Sequence, residues 1–441
     1  MKSGRVMIIG GGLAGCEAAW QLLRRGHRVD LYEMKPRRFS PAHKTERLAE
    51  LVCSNSLKSN QPDSAPGLLK EEMRRLNSLI LSAADQTAVA AGSALAVDRN
   101  KFSLRVEEQL LAQEGFSLHR AEVTDIPQDG LTIIATGPLT SDALAHSISR
   151  MLGGNSYLYF YDAIAPIVEA DSIDMDKAYW ASRYGRGTPD YLNCPLSREE
   201  YRRFREALLA GRKVEARPFE DVRHFEGCLP IEILAARGEE TLAFGPMKPV
   251  GLIHPQTGQM AYAVVQLRRE NSGGTLFNLV GFQTKLTWPE QERIFRMIPG
   301  LEHARFARMG SIHRNTYIHS PSLLLPSLQF RGHPDIFFAG QISGVEGYME
   351  STAMGLLAGL NAASILEGKS PLPPPRETAI GALARYITSS ESADNFQPMN
   401  IHFGILPPLN APRMKKKEKH LFCVRRALEA LADWVRDQGL S

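Results

Sequence analysis

Read as a pattern of apolar and polar positions, the chain opens on RVMIIGGGLAGCEAAWQLLRRGHRVDLYE, which predicts a strand, a glycine turn, a helix and a second strand ending at Glu33. Two later apolar runs also end on glycines. GLTIIATGP predicts a strand leading into Ala135, Thr136 and Gly137, and PDIFFAGQISGVEGYMESTAMGLLAGLNAA predicts a strand before Gly340 and then a helix rich in small residues. Between them, SYLYFYDAIAPIVEA and MAYAVVQL read as strands and SREEYRRFREALLAGR as a helix. Beyond GKSPLPPPRE, where prolines break the preceding helix, the pattern is that of a helical appendage.

The first turn carries chemistry. Gly10, Gly12 and Gly15 form G-x-G-x-x-G between a strand and a helix. The first glycine makes the tight turn, the second lets backbone approach a pyrophosphate, and the third lets the helix pack on the strand. Gly10, Gly11, Gly12, Leu13, Ala14 and Gly15 are therefore the candidate phosphate cradle, at a helix N-terminus whose free N–H groups and partial positive charge favour an anion. Glu33 ends the second strand, where its carboxylate can accept hydrogen bonds from ribose hydroxyls. The segments at Ala135, Thr136 and Gly137 and at Gly340 resemble the later signatures of the glutathione-reductase type of FAD-binding fold. That resemblance implies that Gly340, Gln341 and Gly347 reach the ribityl chain and the flavin ring, with Gln341 standing where that fold usually has an acid. No second G-x-G-x-x-G is present, so NAD(P)H is expected to visit the flavin face only briefly. The expected architecture is α/β: a Rossmann-like FAD-binding domain in two pieces, 1–145 and 305–380, an inserted α+β domain over 146–304, and a helical C-terminal tail over 381–441. The insertion is too long for a loop in a compact fold.

Composition narrows the classes. A chain of 441 residues with 43% hydrophobic content has enough apolar material for more than one domain. It contains no 18-residue apolar run, and only a four-residue apolar run, VMII, stands before the glycine turn, so neither a membrane span nor a signal peptide is expected and the cytoplasm is the expected location. The net charge of +4 is too small to indicate nucleic acid by itself. Its distribution is uneven. In APRMKKKEKHLFCVRR, the residues Arg413, Lys415, Lys416, Lys417, Lys419, Arg425 and Arg426 face one acid, Glu418, which reads either as a solvated helix face or as a phosphate-binding patch. The five cysteines are odd in number, widely spaced and without a C-x-x-C, which predicts reduced thiols rather than a disulfide framework or a cysteine-based metal site.

Cys16 follows the glycine turn and Cys423 lies in apolar HLFCV, both packing contexts, while Cys194 in YLNCPLS is open. Cys53 in ELVCSNSLKSN and Cys228 in HFEGCLPIE have polar or turn-forming neighbours, and no second cysteine stands at the spacing of a disulfide reductase. With IGGGLAGCEAAWQL, LVCSNSLKSN, FEGCLPIE, LVGFQTKLTWPEQERIFRMIPGLE, HRNTYIHSP and FFAGQISGVEGYMES, the sequence resembles the FAD- and folate-dependent tRNA uracil-C5 methyltransferases, the TrmFO family, over essentially its whole length. The MnmG (GidA) family, which modifies the tRNA wobble uridine, is the next in kind, but its chains carry a long extra C-terminal helical region that 441 residues do not accommodate.

The TrmFO resemblance implies methylation of C5 of the T-loop uridine, position 54 of tRNA. The carbon comes from methylenetetrahydrofolate and the hydride from FAD reduced by NAD(P)H. It also implies that Cys53 and Cys228 both take part. Cys228 is assigned as the thiol that adds to C6, and Cys53 as an acid, base or temporary holder of the methylene unit on the flavin side; the sequence leaves the reverse order open. An ordinary thiol is only about 3% ionised at pH 7, so the nucleophile needs a cation or a positive dipole. The flanking Glu226 and Glu232 are accordingly expected to turn from the sulfur, toward Arg223 or Lys248. Tyr348 reads either as a stacking ring for the pterin or the base, or as a core aromatic under its helix. Lys285 in GFQTK and His313, Arg314 and Asn315 in HRNTY are expected in the wall of the active site, and Lys415, Lys416, Lys417 and Lys419 become candidates for tRNA phosphates. The competing readings are a small-molecule flavin oxidase with Cys228 a bystander, and a non-enzymatic flavoprotein that binds RNA.

Overall fold

In the computed structural model, the described residues are 4–127, 129–153, 157–185, 188–214, 229–393, 396–409 and 415–440, with side chains described except at 157–162 and 312–314. The apolar runs of the opening unit become the middle of a six-stranded sheet. Its spatial order is Gln329–Phe330, His333–Phe338, Leu131–Ile134, Arg5–Ile9, Arg28–Glu33, Phe116–Arg120, parallel throughout except for the first, edge strand. Val6, Ile8, Ile133 and Ile134 are fully buried, as expected for strands covered on both faces. The chain order of the strands reverses between Arg5–Ile9 and Leu131–Ile134, and such a switch point opens a crevice at the carboxyl ends of the strands.

Helix Leu13–Leu23 packs against the long helix Tyr348–Leu366. The small residues of the long helix make that approach possible. A Cβ at Gly355 would stand 2.2 Å from the Ala14 carbonyl oxygen, and one at Gly359 2.7 Å from that of Ala18.

A second, antiparallel sheet of six strands is ordered Tyr179–Ala181, Tyr191–Leu196, Ala263–Arg269, Leu276–Leu279, Ile167–Glu169, Phe306–Arg308. It has its own core, built with Tyr201, Phe204 and Leu208 of helix Arg198–Ala210. That helix begins at a full capping box, Ser197 with Glu200. A two-stranded ribbon, Tyr157–Ile164 against Ser311–Ile318, joins the two units in unbroken register.

The structure draws the boundaries elsewhere than the sequence suggested. Residue 145 falls inside helix Asp142–Met151, whose Leu144 and Ile148 pack with Ile9 and Ile134 of the first unit. Residue 304 precedes Phe306–Arg308, which still belongs to the second sheet. Residue 380 lies within helix Ala379–Thr388, whose first N–H groups, Ala379 and Ile380, donate to the carboxylate of Glu72 at 2.6 and 2.9 Å. The last helix, Lys416–Gln438, docks on the first core through Ala427, Leu431 and Trp434. No helix among the described residues is long and apolar enough to cross a membrane.

Candidate active site

The crevice at the switch point is an open cleft of about 1020 Å³, running from Glu33 past Gly10, Gly12, Leu13 and Ala14 to Ala135, Thr136, Gly137, Gly340, Gln341 and Tyr348. Gly10 has φ +108°, and a Cβ there would come within 2.5 Å of the Ala135 carbonyl oxygen. At Gly12 an added Cβ would meet no atom within 4 Å, so the backbone is bare toward the cleft. Gly12 is also the N-cap of helix Leu13–Leu23 and supplies no side-chain cap, which leaves first-turn N–H groups available to a phosphate.

Gly15 does not line the cleft. Its Cβ would lie 1.9 Å from the Gly10 carbonyl oxygen, so it sets the fit of helix on strand. The Gly11 N–H is already engaged, donating to Glu33 Oε2 at 2.9 Å, and Lys35 N–H donates to Glu33 Oε1 at 3.0 Å. These two bonds fix a carboxylate whose remaining lone pairs face the cleft. His43 and Glu50, which local pattern did not single out, line the same end, and burial lowers the His43 pKa.

Gln341 lines the cleft, and its Nε2 donates to Glu346 Oε2 at 2.6 Å. Gly347, with φ +111°, is the N-cap of helix Tyr348–Leu366 and lies just outside the cleft lining.

The structure gives Tyr348 a hydrogen-bonding role that neither sequence reading included. Its hydroxyl accepts the N–H of Cys53 at 2.8 Å and of Ser54 at 3.3 Å, while the residue lines the cleft. Burial, with the neighbouring Cys53, raises its pKa and keeps the phenol protonated. Cys53 itself is half-buried and not part of the cleft lining, which its neighbour Val52 joins. Arginines hold the carbonyl side of its loop. Arg99 donates to the Leu51 oxygen and, at 3.1 Å, to that of Cys53; Arg308 donates to the oxygens of Val52 at 3.0 Å and Cys53 at 2.9 Å. Arg268 bonds Ser54 Oγ at 2.7 Å and Asn55 Oδ1 at 3.0 Å. Burial lowers the Arg308 pKa, with Arg99 adding to it, to about 10. At Arg99 burial is outweighed by Glu270, 2.6 Å away, and the guanidinium is held more firmly charged.

The other cysteines separate clearly. Cys16 and Cys194 are fully buried and burial raises both thiols, Cys194 to about 12; Cys423 is buried in the last helix. Cys194, open in sequence, is thus a packing residue. Cys228, with Glu226 and Arg223, lies outside the described residues, but the chain flanking 215–228 is tied to one segment: Val214 N–H donates to the Lys285 oxygen and Ile231 N–H to the Gln283 oxygen, both at 2.7 Å.

Glu232 is engaged by partners other than Lys248. Thr284 Oγ1 and the Lys285 N–H donate to it at 3.0 and 2.7 Å, and burial raises its pKa. Among the described residues, neither Lys285 nor Asn315 lines the cleft. Lys285 lies in the inserted domain beside Glu232, and Asn315 is buried in the ribbon. The side chains of His313 and Arg314 lie outside the described residues. Lys415, Lys416, Lys417 and Lys419 are exposed at the start of the last helix.

Fold and cleft together define a protein of the Rossmann-like, FAD-binding α/β class. The chain matches the family of glucose inhibited division protein A (GidA) over residues 5–370. It superposes on the structure of Aquifex aeolicus GidA with a TM-score of 0.71, at 18% identity over 99% of this chain and 74% of that one. It is 61% identical to the methylenetetrahydrofolate–tRNA-(uracil-5-)-methyltransferase TrmFO of Syntrophus aciditrophicus, covering 98% of each chain. It is 59% identical to the TrmFO of Geobacter sulfurreducens, over 98% of this chain and 99% of that one. The chain belongs to the TrmFO family, within the wider GidA group.

Proposed function

We propose that this protein methylates C5 of a uridine in tRNA, the T-loop uridine at position 54, taking the carbon from methylenetetrahydrofolate. The observation that carries this reading is Cys53 fastened to the cleft by Tyr348: a thiol beside a dinucleotide site fits a flavin-linked transfer better than a plain oxidase. The bare glycine turn, the uncapped helix start and the fixed Glu33 suit FAD. FAD, once reduced by NAD(P)H, supplies the hydride that turns a carbon at the formaldehyde level into a methyl group.

The chain's own residues do the rest. C5 of uracil is a weak nucleophile, and addition of a thiolate to C6 pushes electron density onto it as an enolate. Cys228 is the thiol for C6, and Cys53 serves the cleft side as acid, base or holder of the one-carbon unit. Tyr348 keeps the Cys53 backbone in place, and its hydroxyl stays protonated. The target base must leave the tRNA stack to reach the thiols. A protein acting on these substrates works in the cytoplasm. The deciding assay incubates the protein with unmodified tRNA, NADPH and either labelled methylenetetrahydrofolate or labelled S-adenosylmethionine. Label is expected in 5-methyluridine only from the folate, and transfer from S-adenosylmethionine would sink the proposal.

Lysines in the first turn of a helix oppose its dipole, which argues against a purely stabilising role for Lys416, Lys417 and Lys419. An RNA phosphate is the anion they suit, together with the helix N-terminus. Neutralising Lys415, Lys416, Lys417 and Lys419 together is expected to weaken tRNA binding with FAD content unchanged. For every phosphate no longer neutralised by a lysine, the log-log salt slope becomes shallower by roughly 0.7 to 0.9. An unaltered slope would make the run a solvated face.

A further inference from the structure

We infer that Arg99 and Arg308 are positioning residues for Cys53, and that through them the inserted domain controls the geometry and charge around this thiol. The inference rests on the assignment of Cys53 as a working thiol and goes one step beyond it.

Three consecutive carbonyls, those of Leu51, Val52 and Cys53, point at two guanidiniums, and the N–H groups of Cys53 and Ser54 point at Tyr348. Arg308 comes from strand Phe306–Arg308 of the inserted sheet, whereas Arg99 starts helix Arg99–Leu111 of the first unit. Arg99 is tied in turn to Glu270 of the insertion. The Cys53 loop is therefore held from both sides of the domain boundary. Rotation of the inserted domain, for instance on binding a large substrate, would pull directly on two of its carbonyls.

Simple interface packing does not explain the charge balance. Among the described residues, Arg99, Arg268 and Arg308 meet one carboxylate here, Glu270, and buried charges without partners are costly. Burial lowers the pKa of both Arg268 and Arg308, and Arg308 Nε makes no hydrogen bond among the described residues. The next charges along the chain are already paired, Lys58 with Glu350 at 3.0 Å and Lys35 with Glu50 at 3.3 Å. Tyr348 stays neutral. Among the described residues the surplus positive charge thus lacks a protein anion, and the charges of both Arg99 and Arg308 bear on Cys53. A thiolate is the anion that cationic neighbours stabilise.

The test uses full-length, FAD-loaded protein under reducing conditions. Iodoacetamide modification of Cys53 is followed against pH by peptide mass spectrometry, and folate-dependent tRNA methylation is measured on the same samples. Arg308→Met is expected to move the midpoint of Cys53 modification to higher pH, slowing modification at neutral pH by roughly tenfold. Arg308→Lys keeps the charge but loses the two-pronged fork. Its midpoint should stay close to the parent's while kcat falls. If Arg308→Met fails to retain FAD, Arg308→Lys and Arg99→Lys decide: lowered kcat with full FAD supports the inference, and parental kcat in both overturns it. A midpoint and kcat both unmoved in Arg308→Met also overturn it. Cys53→Ala runs alongside. Methylation at the parental rate in that variant removes Cys53 from the chemistry, while the modification curves still read the arginine clamp independently.

Discussion

Cys228→Ala is expected to abolish methylation while leaving a yellow, FAD-loaded protein. Deleting a nucleophile on which a reaction depends lowers turnover on the order of 10⁴-fold or more. The sharper readout is trapping. With tRNA carrying 5-fluorouridine at the target position, the thiol adds to C6, but fluorine does not leave C5 as a proton does, so the adduct accumulates. Cys228→Ala should form none. Cys53→Ala should stop or strongly slow methylation yet retain some capacity for the adduct, because the role proposed for it lies on the cleft side, where Tyr348 anchors its backbone. The roles exchange if trapping is lost with Cys53→Ala and kept with Cys228→Ala. Methylation at the parental rate in both single variants would remove both thiols from the mechanism.

The second large effect concerns the glycine turn. In Gly15→Ala the new methyl group would lie 1.9 Å from the Gly10 carbonyl oxygen, so the helix has to shift from the strand that carries the turn. Such overpacking costs about 1–3 kcal/mol. If that strain falls on the cradle, FAD affinity drops roughly 5- to 100-fold. Gly12→Ala provides the contrast. No protein atom lies within 4 Å of its Cβ, and its backbone is extended, so the thermal midpoint of the FAD-free protein should not change. FAD binding should still weaken, because the methyl group occupies the space through which a pyrophosphate approaches. Isothermal titration of FAD-stripped protein measures both variants. Parental affinity in both would mean that the cofactor does not use this turn.

Lys285 and Asn315 show what local pattern leaves open. Each stands among polar residues bounded by apolar runs, and that pattern is equally produced by a buried polar network. Lys285 gives its N–H to Glu232 beside helix Ile231–Ala236, and Asn315 lies inside the ribbon. The domain boundaries depend on packing in a related way. Helix Asp142–Met151 has the pattern of any amphipathic helix, and only its packing on Ile9 and Ile134 assigns it to the first unit. Arg99 and Arg308 gave no local signal at all.

What the sequence determined by itself is what short-range geometry controls. The glycine turn was legible because positive φ and bare backbone demand glycine at set spacings, the flanking strands because burial on both faces demands unbroken apolar runs, and helix Tyr348–Leu366 as a run of small residues, whose close packing at Gly355 and Gly359 the fold then supplied. The basic start of the last helix was legible as composition. Tertiary structure alone decided how Cys53 is held. Arg99 reaches its carbonyl across 46 positions of chain, Arg308 across 255, and Tyr348 accepts its N–H across 295. Hydrogen bonds over such separations leave no periodicity in the sequence, because the fold of two domains, not the spacing of residues, brings their partners together.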